Sequence, residues 1–255
     1  RSDGLLENVK EKWNLVDWPQ NLRDNYDFDL SLPVGDGCHN VVNAFYCGAV
    51  KMVEKLRDVL GVSGPGDRFV DLAAAYQAAF YVADRGLFVD SVGSTHASLH
   101  SNVQALFWGL APDSAVEGIA QLIRAKGLSC GVYQSYFLLK GLASVGEQAL
   151  AYELLTSTGE HSWANMLREG AMTAFEAWGK EQKWNTSLCH PWAAAPIPVL
   201  IEDIFGLRPA APGWEQVAFD PQVPEGLEYL QIAFETVRGR IRLTHQGGQS
   251  YWEWV

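Results

Sequence analysis

The fold is decided by residues 38–86, which read CHNVVNAFYCGAVKMVEKLRDVLGVSGPGDRFVDLAAAYQAAFYVADRG. Apolar side chains recur every three or four residues from Val42 to Leu60, which is the spacing of an amphipathic helix. Gly61 and the turn at residues 63–66 end this pattern. The same spacing resumes at Phe69 and is closed by Gly86. The stretch therefore predicts two antiparallel helices joined as a hairpin.

The helical pattern repeats along the chain beyond this hairpin. A third helix is predicted through Leu99 and Leu110, and Ser114 with Glu117 forms a capping-box pattern that opens a fourth. Further helices are predicted at residues 131–144, 146–156, 162–178 and 191–206, and we expect no strand across about 200 residues. A complete toroid of six hairpins needs more than about 200 helical residues, so the pattern predicts a partial (α/α)6 toroid.

The composition changes at Pro209, where prolines and glycine replace the helical spacing. Strand patterns follow, and Gly247-Gly248 is typical of a hairpin turn. The predicted strands are Gln216–Phe219, Leu227–Phe234, Arg238–Thr244 and Tyr251–Val255. We therefore predict two domains: a partial (α/α)6 barrel over residues 1–208 and a small antiparallel, sandwich-like β region over residues 209–255.

The bulk composition excludes several classes of function. The 255 residues carry a net charge of −11, which disfavours binding to nucleic-acid phosphates or to an anionic membrane surface. No apolar run reaches the roughly 18 residues needed to span a bilayer. Four scattered cysteines predict buried free thiols, a pattern that slightly favours the cytoplasm over the periplasm. The start, without Met or signal peptide, suggests an internal piece of a longer protein.

Two neighbouring segments have the residue types of a sugar-hydrolysing site. Residues 172–178 read MTAFEAW and place Glu176 between two aromatic rings, while residues 187–196 read SLCHPWAAAP and place His190 before a proline-started helix. Aromatic faces stack on sugars and a carboxylate handles a proton or water. The alternatives are an exposed helical glutamate, a structural histidine and ordinary aromatic core packing.

Two further patterns were considered for chemistry. Asp17 and Trp18 form a second acid–aromatic pair, and Pro19 disfavours helix at Trp18. His96 and His100 are four residues apart and would share a helical face, but no third ligand is obvious, so hydrogen bonding is favoured over zinc. The chain has no phosphate-binding glycine loop and no nucleophile elbow. We predict no cofactor and no metal.

Taken together, these segments resemble the catalytic domain of the bacterial α-L-rhamnosidases, glycoside hydrolase family 78. No single motif is specific, but their order and spacing are. The matching segments lie at residues 3–18 (with Trp13 and Trp18), 40–46, 96–102, 162–166, 172–178 and 186–192, and the likeness extends through 209–244.

The resemblance implies an (α/α)6 barrel, a C-terminal β-sandwich and hydrolysis of terminal α-linked L-rhamnose with inversion. It implies that Glu176 is the general base that activates water. It implies a sugar pocket lined by Asp17, Trp18, Tyr133, Trp163, Trp178, His190 and Trp192. The family's general acid lies in an acidic motif upstream of the part that corresponds to Asp3, and nothing here matches it. We therefore expect the isolated chain to be inactive.

Two other interpretations stay open at this level. The chain could belong to an α,α-toroid that acts on another sugar, such as a glucosidase or a lyase. It could also be a carbohydrate-binding or degenerate, non-catalytic toroid domain that kept the aromatic pocket. The expected partner is a rhamnose-containing oligosaccharide or glycoside. Because an open toroid exposes an apolar helix face, association into a homo-oligomer is a further expectation.

Overall fold

The computed structural model describes residues 1–10, 14–27, 37–64 and 66–255; Trp13 lies outside them. Within these residues the chain is mainly helical, as predicted. The principal helices are α1 (Asn40–Leu60), α2 (Arg68–Phe80), α3 (Leu99–Phe107), α4 (Asp113–Lys126), α5 (Val132–Ser144), α6 (Gln148–Leu155) and α7 (Trp163–Arg168).

Helices α1 to α6 form three consecutive hairpins, and α3 packs against both α1 and α5. Helix α3 is buried along almost its whole length, so its polar side chains need partners inside the protein. Asn102 provides one example, since its amide donates to the Phe88 and Ser98 carbonyls. Gly141 allows α5 to approach α3 closely, because a Cβ there would lie 3.3 Å from Leu106. The hairpin prediction for residues 38–86 is confirmed, with Gly61 in the left-handed conformation after α1.

Two local predictions in this region are wrong. Helix α2 stops at Phe80, and residues 81–88 form a short hairpin of strands β1 (Tyr81–Val82) and β2 (Leu87–Phe88), although no strand was expected. The capping box is also absent: α4 begins after Pro112 without a side-chain cap, and the Ser114 hydroxyl contacts Tyr81 instead. The side-chain cap occurs one helix earlier, where Ser98 accepts a hydrogen bond from the Ser101 amide.

The largest difference concerns the predicted helix at 162–178. Helix α7 ends at Arg168, and Gly170 follows with a φ of 82°. Residues 169–178 are therefore a loop, which places Glu176 outside any helix. Downstream, residues 191–206 form shorter pieces: a 3-10 turn at Pro191–Ala193, then α8 (Pro196–Pro198), which continues as a π-helix at Val199–Ile204.

The C-terminal part is antiparallel β, as predicted. Strands β3 (Leu207–Pro209) and β4 (Val217–Phe219) pair, and β5 (Tyr229–Thr236), β6 (Gly239–Gln246) and β7 (Gln249–Trp254) form a three-stranded sheet. The glycine pair makes the β6–β7 turn with φ values of 60° and 75°. The period-two pattern is confirmed, since Ile241 and Leu243 are buried.

A second hydrophobic core is formed by Phe205, Leu207, Ile241 and Leu243, separate from the core of the hairpins. Strand β3 was missed because Pro209 was interpreted as a break, although it is the last residue of the strand. The predicted boundary between 208 and 209 stays a prediction.

Two predictions from composition are addressed by the described residues. No helix among them is long and apolar enough to cross a membrane. All four cysteines are free; Cys38, Cys47 and Cys130 are buried as expected, whereas Cys189 is exposed, because it lies in an irregular surface segment.

Candidate active site

The candidate site is built on two irregular segments that run antiparallel to each other. The Glu176 amide donates to the Ser187 carbonyl at 2.9 Å, and the His190 amide donates to the Ala174 carbonyl at 2.8 Å. The Thr173 hydroxyl donates to the Leu188 carbonyl. This pairing brings the two motifs found in the sequence side by side, with Glu176 on one segment and His190 on the other.

Glu176 has a defined partner on each carboxylate oxygen. Oε1 lies 2.6 Å from the ammonium of Lys183, and Oε2 accepts the Ser187 amide at 3.0 Å. Burial alone would raise the pKa of Glu176, but the bonds from Lys183 and Ser187 and the nearby His190 outweigh it, and the pKa is lowered. The side chain is 15 % exposed. Glu176 is therefore an ionised carboxylate with some access to solvent.

An aromatic wall extends from His190. The ring of His190 lies 4.6 Å from Trp192, which lies 5.2 Å from Tyr133, measured between ring centroids. Burial, together with the charge of Asp17, raises the pKa of Tyr133 to about 12, so its hydroxyl stays protonated at neutral pH. Tyr133 and Trp192 also line an apolar cavity of about 490 Å³. Glu176 does not line this cavity, which lies along the wall.

Trp163 and Trp178 meet edge to face at 4.9 Å between centroids. The indole of half-buried Trp163 donates to the Ala193 carbonyl at 2.7 Å, and that of Trp178 donates to the Cys130 carbonyl at 2.6 Å. Trp178 has no exposed surface. The prediction that its ring lines the sugar pocket is corrected: it supports the loop that carries Glu176 from behind.

Asp17 is likewise fully buried, and it accepts three hydrogen bonds. Its donors are the Trp18 amide at 2.8 Å, the Gly131 amide at 2.6 Å and His100 Nε2 at 2.6 Å. An aspartate so enclosed presents no oxygen to a sugar, so its predicted place in the pocket lining is corrected to an anchor behind Trp18. Trp18 itself is half-buried and carries the Lys183 ammonium 5.7 Å from its ring centroid.

The peptide group between Cys130 and Gly131 joins these parts. Its N–H is donated to Asp17 and its carbonyl oxygen accepts the indole N–H of Trp178. Helix α5, which carries Tyr133, begins one residue later. The peptide thus connects the loop of Trp18, the loop of Glu176 and the helix of Tyr133. All eight predicted residues lie in this one neighbourhood, six at its surface and two behind it.

Sequence reasoning missed the contributions of Lys183 and Gly131. Lys183 lies in the run Gly179-Lys-Glu-Gln-Lys183, where nothing distinguishes it from Lys180. Nothing in the sequence distinguishes Gly131, because its role depends on the space that a Cβ would occupy and not on a turn conformation. His100 was expected to make a hydrogen bond, and it does, but it does not share a helical face with His96, because α3 begins only at Leu99.

One group of side chains resembles a metal site. Ligand atoms of Asp27, Asp90 and His96 lie within 4.8 Å of one another. Hydrogen bonds account for the arrangement, because Asp90 Oδ2 lies 2.6 Å from His96 Nδ1 and Oδ1 accepts from Ser98 and Ser101. We interpret the group as part of the scaffold that holds the start of α3.

The described residues combine consecutive helical hairpins with a small antiparallel sheet after them, and the connecting loops place a carboxylate beside aromatic rings. These are the features of a six-hairpin glycosidase domain. The chain belongs to the bacterial α-L-rhamnosidase family of glycoside hydrolases. The family's 6 hairpin glycosidase domain matches residues 1–204, and its C-terminal domain matches residues 206–250.

Individual relatives are distant in sequence and much longer. An α-L-rhamnosidase of Alteromonas sp. (strain LOR) is 27 % identical over an alignment of 219 positions that covers 79 % of this chain and 23 % of that protein. The solved structure of a Streptomyces avermitilis α-L-rhamnosidase complexed with L-rhamnose is 19 % identical with a TM-score of 0.73, over 96 % of this chain and 24 % of that one. An Aspergillus terreus α-L-rhamnosidase gives a TM-score of 0.69 at 20 % identity, over 93 % and 27 %. The chain thus spans about a quarter of these proteins.

Proposed function

We infer that this chain carries the general-base part of an inverting α-L-rhamnosidase site, in which Glu176 activates the attacking water. The observation that supports this most is the state of Glu176, whose carboxylate is ionised, oriented on both oxygens and partly open to solvent. A general base must be deprotonated before the reaction and within reach of a water molecule. Asp17, the other acid in the predicted pocket lining, does not combine these properties, because it is enclosed.

The sugar contacts follow from the half-buried groups around this carboxylate. Trp18, Tyr133, Trp163, His190 and Trp192 keep some exposed surface. Their flat faces suit the C–H face of a pyranose, and the C5 methyl of L-rhamnose gives such a wall an apolar group to contact. The proposed substrate is the terminal α-linked L-rhamnose of an oligosaccharide or glycoside.

A second function, sugar binding without hydrolysis, is favoured by a different observation. Inversion needs two carboxyl groups about 6.5–9.5 Å apart, one as acid and one as base. Asp17 cannot be that acid, since all its donors are fixed protein groups and its surface is closed. If the described residues supply only the base, the same aromatic wall would still bind rhamnose.

Calorimetric titration with L-rhamnose tests the shared part of both functions. We expect Trp192→Ala to weaken binding about tenfold through loss of the stacking face, and Trp254→Ala, in the C-terminal sheet, to leave it unchanged. D-glucose binding as tightly as L-rhamnose would favour a toroid that acts on another sugar. Failure of the folded chain to bind L-rhamnose at millimolar concentration would contradict both functions.

Hydrolysis of a dinitrophenyl α-L-rhamnoside separates the two, because its leaving group departs without protonation and the assay therefore needs the base but not the acid. Catalysis predicts that Glu176→Gln abolishes turnover while changing the Kd by less than about threefold. Glu181→Gln, an exposed glutamate five residues later, is the matched control and should retain turnover. Binding without any turnover by the unmodified chain supports the second function.

A further inference from the structure

Lys183 is an unusually enclosed lysine for a loop residue. Its side chain is only 9 % exposed, and its backbone is extended, directly after the 3-10 turn Lys180–Gln182. Its carbonyl accepts the amide and the hydroxyl of Thr186. The backbone is therefore held in place, and the ammonium group is directed towards Glu176 rather than into solvent, where a lysine usually extends.

The ammonium of Lys183 lies between two groups of the candidate site. It is 2.6 Å from Glu176 Oε1 and 5.7 Å from the centroid of the Trp18 ring. Trp18 is fixed in turn by Asp17, which accepts its amide. Lys183 thus connects the loop that carries the carboxylate with the aromatic loop on the other side of the site.

Two contacts fix the orientation of the Glu176 carboxylate. Lys183 engages Oε1 and the Ser187 amide engages Oε2, so rotation of the group would break a charge-assisted bond on one side and a backbone bond on the other. Each oxygen keeps a second lone pair for water. Since an ammonium group only donates, Lys183 also favours the ionised carboxylate. His190, on the paired segment, also acts to lower the pKa of Glu176.

We propose that Lys183 is a positioning residue for the general base: it orients Glu176 from the gap between that carboxylate and Trp18. This inference rests on the proposed role of Glu176. Arginine keeps the charge but not the length and donor geometry of lysine, whereas methionine keeps the apolar stem and removes the charge. Lys180 is the natural control, since it lies three residues earlier, is exposed and donates to the Glu169 carbonyl.

The test is a carbon-13 NMR titration of the Glu176 carboxyl group, assigned with Glu176→Gln. We expect Lys183→Met to raise the titration midpoint towards the ordinary value of a glutamate, Lys183→Arg to keep it low and Lys180→Met to leave it unchanged. In parallel, Lys183→Met should lower turnover of the dinitrophenyl α-L-rhamnoside about tenfold while changing the Kd for L-rhamnose by less than about threefold, and the arginine variant should recover part of the turnover. A change in packing alone would not move the titration in this order.

Two results would overturn the proposal: an unchanged Glu176 midpoint in folded Lys183→Met, or the same rise in Lys180→Met. If Lys183→Met does not fold, Lys183→Gln replaces it with the same expectation. The titration does not need a sugar. A chain that binds no L-rhamnose but shows the expected shift therefore refutes the proposed function and retains the link between Lys183 and Glu176.

Discussion

Asp17 and Glu176 are both carboxylates that stand near a tryptophan in the sequence, and the structure gives them opposite surroundings. Asp17 has no exposed surface and accepts from two backbone amides and one imidazole. Glu176 is 15 % exposed and accepts from one backbone amide and one ammonium group. The partners of Asp17 come from α3, the start of α5 and its own loop, whereas those of Glu176 are Lys183 and Ser187, 7 and 11 residues further along the chain.

The difference indicates that the two carboxylates have different roles. A buried carboxylate with three donors is costly to disturb, because each donor would lose its only acceptor inside the protein. Such a group holds elements together. A carboxylate that keeps free lone pairs and some exposure can exchange a proton with water. The comparison therefore supports a structural role for Asp17 and the proposed chemical role for Glu176, and this can be tested on the two residues separately.

The largest effect is expected from Gly131→Ala, because the added methyl group would clash with the surroundings of Asp17. The φ of Gly131 is −70°, which any residue adopts, so backbone strain is not involved. An added Cβ would lie 2.2 Å from the Trp18 carbonyl oxygen and 2.5 Å from Asp17 Oδ1. We expect a loss on the order of 4 kcal/mol in the free energy of unfolding, measured by urea denaturation.

Gly159→Ala is the control for this substitution, since nothing lies within 4 Å of a Cβ at that position. It should change the free energy of unfolding by no more than about 0.5 kcal/mol. If Gly131→Ala were as stable as this control, the close approach between Asp17 and the peptide of Gly131 would not be essential, and Asp17 would lose its role as an anchor.

The regular elements could be predicted because their signals are local. The spacing from Val42 to Leu60 and the glycine that follows are sufficient to place α1 and its end, and a Gly-Gly pair between alternating strands is sufficient for the β6–β7 hairpin. Residues 169–178 were wrongly predicted as helix because aromatic and apolar residues there satisfy the helical spacing. Their contacts are non-local: Trp178 bonds to Cys130 and Ser187 bonds to Glu176.

The sequence proposed a set of residues for the candidate site but could not show their individual surroundings. Aromatic density and motif order identified Glu176, His190 and Trp192. They could not show that Asp17 would be enclosed, because two of its three donors lie 83 and 114 residues away in sequence. They could not separate Lys183 from Lys180 either, since which lysine turns inward depends on the 3-10 turn between them.

The second prediction contrasts the two acids directly. Asp17→Asn leaves one oxygen to serve three donors, so we expect about 3 kcal/mol of destabilisation in urea. In the fraction that folds, binding of L-rhamnose should stay within about threefold of the original, because Asp17 is closed to solvent. The exposed Asp58→Asn is the control. A variant with normal stability and abolished binding would instead make Asp17 a direct sugar ligand.

The smallest effect concerns the pH dependence of stability at Glu176. Burial acts to raise the pKa of this carboxyl group, but the bonds from Lys183 and Ser187 prevail, so the folded-state pKa lies below the ordinary value of 4.5. A group of this kind stabilises the folded state above pH 4.5, and the contribution is lost as the pH falls through the folded-state value.

Glu176→Gln should therefore lower the free energy of unfolding by about 1 kcal/mol near neutral pH, and this loss should shrink below pH 4.5. Urea denaturation of both proteins across this range measures the difference. A cost for Glu176→Gln that grows on acidification would mean that Glu176 is protonated in the folded state, which would suit an acid rather than a base.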